Sequence, residues 1–245
     1  MKLLRVAWKA VRATSHVAHG FWIIKMQFPK MTETARQRRV ETWSAGLLRI
    51  AAIELVVTGE PPTSGPRLLV ANHISWLDIV VMHAAGHCRF VSKSDVRQWP
   101  FVGTLADGGG TLYVERQSRR DAHRVVSRMA ERLKAGDILA VFPEGTTSDG
   151  RGLKPFHANL LQAALDAAAP VQAVSLMYVE AANGELSVAP SYIDDDTLVG
   201  SIWQTLSAPR LRALVVFGEP QLAAGRGRRE WTEDLRRDIA HLRTR

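Results

Sequence analysis

Leu68-Leu69-Val70-Ala71-Asn72-His73-Ile74-Ser75-Trp76-Leu77-Asp78-Ile79-Val80-Val81-Met82 decides the fold. Leu68 to Ala71 is an apolar run of buried-strand length, a polar turn interrupts it, and apolar residues resume as the start of a helix at Leu77. Polar residues at such strand ends are where function gathers in α/β proteins. A histidine and an aspartate stand five positions apart there. Along a regular helix five residues advance about 500°, leaving two side chains about 140° apart in projection. His73 therefore belongs on the turn before the helix and Asp78 in its first turn. Ser75 and Asp78 also have the spacing of a capping box, a structural use for the same carboxylate.

Outward from this stretch, strand and helix patterns alternate. Strands are expected at Ile53 to Val57, Leu68 to Ala71, Arg89 to Val91, Thr111 to Val114, Ile138 to Phe142, Val171 to Met177, Leu186 to Ala189 and Ala213 to Phe217. Helical spacing is clearest in Ala122, Val125, Val126, Met129 and Leu133, closed by Gly136. It recurs in Leu160-Leu161-Ala164-Leu165 and, with Thr232 as N-cap, in Leu235, Ile239 and Leu242. The expectation is an α/β fold with a mixed, largely parallel central sheet flanked by helices.

Residues 1–50 hold ten basic side chains against Glu33 and Glu41, which accounts for the whole net charge of +8; the rest of the chain balances. Such asymmetry points to an anionic surface. Lys2, Arg5, Lys9 and Arg12 recur at helical steps as a cationic stripe, with Leu4, Trp8 and Val11 beside or opposite them. The longest uncharged run, Ala13 to Ile24, has 12 residues where a spanning helix needs about 20. The segment is therefore expected to lie in a membrane interface, with Trp8, Phe21, Trp22 and Phe28 at headgroup depth. That aromatic spacing favours a membrane over a nucleic acid as partner. The expected division is a membrane-association segment at 1–50 and a catalytic domain at 51–245, peripheral or monotopic on the cytoplasmic face.

The length of 245 residues, with 46% hydrophobic and 23% charged side chains, suits one large domain, and the single cysteine, Cys88, excludes an intrachain disulfide. Cys88 reads as a buried structural thiol. His83 and His87 share a helix face without an acidic partner there, so no metal site is expected.

Four blocks in order carry a family resemblance: Asn72 to Asp78; Gly110-Thr111-Leu112-Tyr113-Val114-Glu115-Arg116; Phe142-Pro143-Glu144-Gly145-Thr146-Thr147-Ser148; and, in part, Ala169 to Val174. Across residues 50–220 the chain resembles the PlsC-type 1-acylglycerol-3-phosphate O-acyltransferases, the glycerolipid acyltransferases. The resemblance implies acyl transfer from acyl-CoA or acyl carrier protein, without a cofactor, to the sn-2 hydroxyl of lysophosphatidic acid. It assigns His73 and Asp78 to catalysis, Arg116 and Gly110 to the acceptor phosphate block, Lys93 to a further basic position, and Glu144, Gly145 and Thr146 to acceptor binding. Many relatives carry arginine where this chain has Thr147. The fourth block implies an apolar wall for the acyl chain, although a plain core strand explains it equally.

The chemistry agrees with that assignment. Attack by a lipid hydroxyl on a thioester requires loss of its proton, and a histidine held by a carboxylate takes it near neutral pH. Ser75 lacks the glycine-x-serine-x-glycine elbow of a nucleophile. The alternatives are another lysophospholipid or lyso-aminolipid acceptor, thioester hydrolysis, and a non-catalytic lipid-binding protein.

Overall fold

The computed structural model describes residues 2–99, 101–114 and 119–244. Helix α1 (Lys2–Trp22) runs on through a π-helical turn at Ile23–Gln27 and a short 3₁₀ turn at Phe28–Lys30 to α2 (Glu33–Ala51). The N-cap of α2 is Thr32, whose hydroxyl accepts from Ala35 N at 3.3 Å. Then follow β1 (Ile53–Thr58), β2 (Arg67–Ala71), α3 (Leu77–Ala85), β3 (Arg89–Lys93), α4 (Val102–Gly108), β4 (Leu112–Val114), α5 (Arg119–Lys134) and β5 (Ile138–Val141). The chain ends with α6 (Gln162–Asp166), β6 (Val171–Glu180), α7 (Leu198–Ser207), β7 (Leu211–Gln221) and α8 (Arg228–Leu242).

The seven strands form one sheet in the order β1-β7-β6-β2-β5-β3-β4. All neighbours pair parallel except β6 and β7, so β1 and β7 run against the other five. Helices cover both faces. Leu68 and Val70 point into a core with Met129 and Leu133 of α5 and Trp231 and Leu235 of α8, while Leu69 and Ala71 point into one with Leu77 and Val81 of α3. A strand buried on both sides has no polar positions to alternate, which is why β2 reads as an uninterrupted apolar run. Each such side chain contributes about 1.5–3 kcal/mol by leaving water.

Topology places the site. From β2 the chain crosses to β3 on one side; from the adjacent β5 it crosses to β6 on the other. Connections that leave two neighbouring strands in opposite directions open a crevice at their carboxyl ends. The turns holding residues 72–78 and 142–148 both stand there.

Three expectations change. Leu186 to Ala189 is not a strand but makes a single bridge, Val179 to Leu186. Thr232 is not the N-cap of the last helix: Gly227 is, and the Thr232 hydroxyl bonds back to Arg228 O at 2.7 Å inside the helix. Lys9 leaves the cationic stripe and turns inward, its Nζ 3.0 Å from Ala51 O and 3.3 Å from Leu206 O. The outward face of α1 is instead apolar, with Leu4, Trp8, Val11 and Trp22 exposed and Arg5 and Arg12 on its flank.

Candidate active site

His73 follows β2 by two residues, and its backbone is held on both sides. Its N–H donates to Glu144 Oε1 at 2.8 Å, and its carbonyl accepts from Ser148 N at 2.9 Å and Ser148 Oγ at 3.1 Å. Before it, the buried Asn72 amide donates to Leu176 O at 3.0 Å and accepts from Leu176 N at 2.8 Å. That amide continues the β2–β6 ladder one step past the strand, so the turn starts from a fixed position.

The imidazole stacks on Phe142, with centroids 3.9 Å apart and planes 7° from parallel. Nδ1 lies 2.8 Å from Asp78 Oδ2. A carboxylate only accepts, so Nδ1 carries the proton and Nε2 keeps its lone pair. Among the described residues none bonds Nε2, and the His73 side chain is 19% exposed while Asp78 is fully buried. The arrangement presents one basic nitrogen at the crevice and hides its partner.

Asp78 sits in the first turn of α3, and Oδ2 also accepts from Ile74 N at 2.6 Å and Ser75 N at 2.9 Å. The reach back to Ser75 N is one half of the expected capping box; the other half is not made, since α3 has Trp76 as its N-cap and Ser75 Oγ accepts from Leu77 N at 3.2 Å instead. The structural and chemical uses of this carboxylate are therefore combined. Its other oxygen accepts from Tyr178 Oη at 2.7 Å. Tyr178, on β6, is buried, and burial together with the Asp78 carboxylate pushes its phenol well above the ordinary value. No local sequence signal singles out this tyrosine, 100 residues away.

A profile of the family described as Acyltransferase matches residues 54–177, half of the chain and all of this site except Tyr178. A lyso-ornithine lipid O-acyltransferase of Pseudomonas aeruginosa is 36% identical over 94% of this chain and 90% of its own length. The chain belongs to the acyltransferase family. A 1-acyl-sn-glycerol-3-phosphate acyltransferase of Neisseria meningitidis is 38% identical over 75% of the chain and 71% of its own. In three dimensions the fold is shared with the crystal structure of the LPA acyltransferase PlsC from Thermotoga maritima, at a TM-score of 0.71 and 20% identity, covering 100% and 99% of the two chains.

In this acyltransferase the remaining expected residues are brought together only in part. Glu144 is 3% exposed, and both its oxygens are occupied, by His73 N and by Lys154 N at 2.8 Å. It braces two loops rather than facing outward. Burial raises its carboxyl above the ordinary value, while the backbone N–H groups of Lys154 and His73 pull the other way. Gly145, at φ +70°, closes the turn from Phe142, its N–H 3.1 Å from Phe142 O. Gly145 and Thr146 are exposed at the crevice. Gly110 is not brought there. It stands at the amino end of β4 at φ +74°, where a Cβ would lie 2.5 Å from Arg89 Nη1. Lys93 ends β3 on the crevice side of the sheet, two strands from β2. Arg116 lies outside the described residues. Val171, Ala173 and Val174 of the fourth block are core residues of β6. Among the described residues no group of three or more His, Cys, Asp or Glu side chains is gathered as a metal site.

Proposed function

We propose that this acyltransferase moves a fatty acyl group from acyl-CoA or acyl carrier protein to the sn-2 hydroxyl of lysophosphatidic acid, giving phosphatidic acid. The 2.8 Å contact between His73 Nδ1 and Asp78 supports this most directly, because it leaves Nε2 free to accept the hydroxyl proton. As the alkoxide oxygen attacks the thioester carbonyl, Asp78 stabilises the imidazolium that forms. Collapse of the tetrahedral intermediate breaks the C–S bond, and the imidazolium returns its proton to the departing thiolate. This route draws on the donor thioester alone and needs neither metal nor cofactor. Arg116 and Lys93 are the expected cations of the acceptor site.

A lyso-aminolipid acceptor is a second reading, favoured by the Pseudomonas relative's match over 94% of the chain. An ornithine headgroup offers a carboxylate and an amine in place of phosphate.

The acceptor resides in a bilayer, and α1 suits such a surface. It presents Leu4, Trp8, Val11 and Trp22 outward, and no helix among the described residues is long and apolar enough to cross a membrane. A peripheral or monotopic position on an anionic cytoplasmic leaflet fits this face.

The test is an assay of purified protein with both donors and a panel of lysolipids, beside His73→Ala. Transfer to lysophosphatidic acid that disappears in the variant is expected. No transfer to any lysolipid, or full turnover in the variant, would sink the reading.

A further inference from the structure

Beyond the site's own turn, residues 149–157 fold back onto that turn through bonds to Pro143, Glu144 and Thr147, and this segment carries cations. Glu144 binds His73 N through one oxygen and Lys154 N through the other, so one carboxylate fixes Lys154 relative to the base. The Lys154 side chain is exposed and reaches over the turn, Nζ 2.7 Å from Thr147 O. An ammonium has three donors; one is used here, and the remaining two stand at the rim. Beside it, His157 is exposed and anchored by its N–H to Pro143 O at 2.8 Å. Its ring covers Gly145: a Cβ there would lie 3.1 Å from Cδ2 and 3.4 Å from Nε2.

The turn beneath supplies no charge to a ligand. Each Glu144 oxygen holds a backbone N–H, and the Thr147 hydroxyl is spent on Tyr192 O. Arg151 of the segment pairs with Asp149 at 3.8 Å, and from outside it the Arg243 guanidinium bonds Gly150 O.

Resting on the acyl-transfer reading above, we propose that Lys154, with His157 beside it, holds the anionic group of the acceptor, a phosphate or a carboxylate, and so sets acceptor specificity. Lys154 meets this anion as a point charge. Its main-chain bond to Glu144 does not depend on the side chain, so a truncated side chain leaves the brace in place.

The test is steady-state kinetics of the full chain with a single acyl-CoA in neutral detergent micelles. The acceptors are lysophosphatidic acid, lyso-ornithine lipid and uncharged monoacylglycerol. Wild type is compared with Lys154→Ala, Lys154→Gln, Lys154→Arg and a control, Lys134→Ala, at the far end of α5. The alanine and glutamine variants are expected to raise acceptor KM about tenfold for an anionic acceptor, with kcat within about threefold. KM for monoacylglycerol should not move, arginine should restore most of the loss, and the rise of KM with salt should flatten. A shift confined to the phosphate acceptor identifies phosphate as the group held; one confined to lyso-ornithine lipid identifies carboxylate. KM unchanged for every acceptor, or raised equally for the uncharged one, overturns the proposal. A wild type inactive with all acceptors, from acyl-CoA and from acyl carrier protein alike, overturns the acyl-transfer reading itself, which an active wild type with an indifferent Lys154→Ala does not.

Discussion

Asp78 accepts four hydrogen bonds, three at Oδ2 and one at Oδ1, without any exposure to solvent. Such saturation gives each neighbour a distinct expected effect. In Asp78→Asn an amide no longer enforces the Nδ1–H tautomer, and kcat should fall about 10²–10⁴-fold, as in other acid-oriented histidine sites. Acceptor KM should change little, since Asp78 lies behind the base; a kcat within twofold of wild type would remove the carboxylate from the mechanism. Tyr178→Phe deletes only the Oη bond to Oδ1. A loss of about 1 kcal/mol in unfolding free energy is expected, measured by urea denaturation, together with a modest fall in kcat. Cys88 takes no part in this chemistry, since burial pushes its thiol well above the ordinary value and keeps it protonated.

At the level of elements, two polar features are packed beneath the helices. Lys9 draws α1 onto the carboxyl ends of α2 and α7, where unpaired carbonyls and both helix dipoles favour a cation. Lys9→Met keeps the length and deletes the charge, leaving two carbonyls short of a partner. A cost of about 1–3 kcal/mol follows, which at this chain length lowers Tm by about 2–6 °C in a calorimetric scan. The second feature is the stacked pair His83 and His87 at the end of α3, with His83 Nδ1 and both His87 ring nitrogens buried without a partner among the described residues. Burial lowers His83 to about 3, helped by His87, and lowers His87 to about 4, helped by Arg89 and opposed by Glu33 and Asp137. In the unfolded chain both titrate near 6.5. Between that value and the folded ones the unfolded state binds the extra protons, so stability is full above about pH 6.5 and is lost as pH falls. Each group contributes a slope of at most about 1.4 kcal/mol per pH unit. Circular dichroism melts from pH 7.5 to 4 should show a falling Tm, with a shallower fall in His83→Gln; a flat wild-type profile would contradict the buried neutral pair.

For the whole molecule, His73 stands at the carboxyl ends of β2 and β5, while α1 turns its apolar side to solvent. A surface carrying Trp8 at 63% exposure and Trp22 at 51% gains from insertion into a headgroup layer. Trp8→Ser with Trp22→Ser should therefore lower the vesicle partition constant more than tenfold, at about 1.5–3 kcal/mol per aromatic side chain. Arg5→Gln with Arg12→Gln should weaken binding to anionic vesicles alone; cosedimentation reads both, and equal binding by all variants would assign the face another role. Much of this was legible beforehand. The apolar runs gave the strands of the sheet because two-sided burial leaves an unbroken signature, and the spacing of His73 and Asp78 with Ser75 gave the turn because capping is local chemistry. Leu186 to Ala189 alternates like a strand but meets a partner at one position only. Lys9 turns inward, which helical spacing does not show because it defines a face but not what lies against it. Tyr178, the Phe142 stack and the Glu144 brace join residues from 69 to 100 positions apart. The amino-acid sequence by itself determined most of the elements, the family and the turn that carries His73 and Asp78, because apolar runs, motif blocks and capping are written in neighbours along the chain. Only the tertiary structure decided which groups hold that pair, which way α1 faces and which cations stand at the rim, because hydrogen bonding and burial depend on what the fold brings alongside.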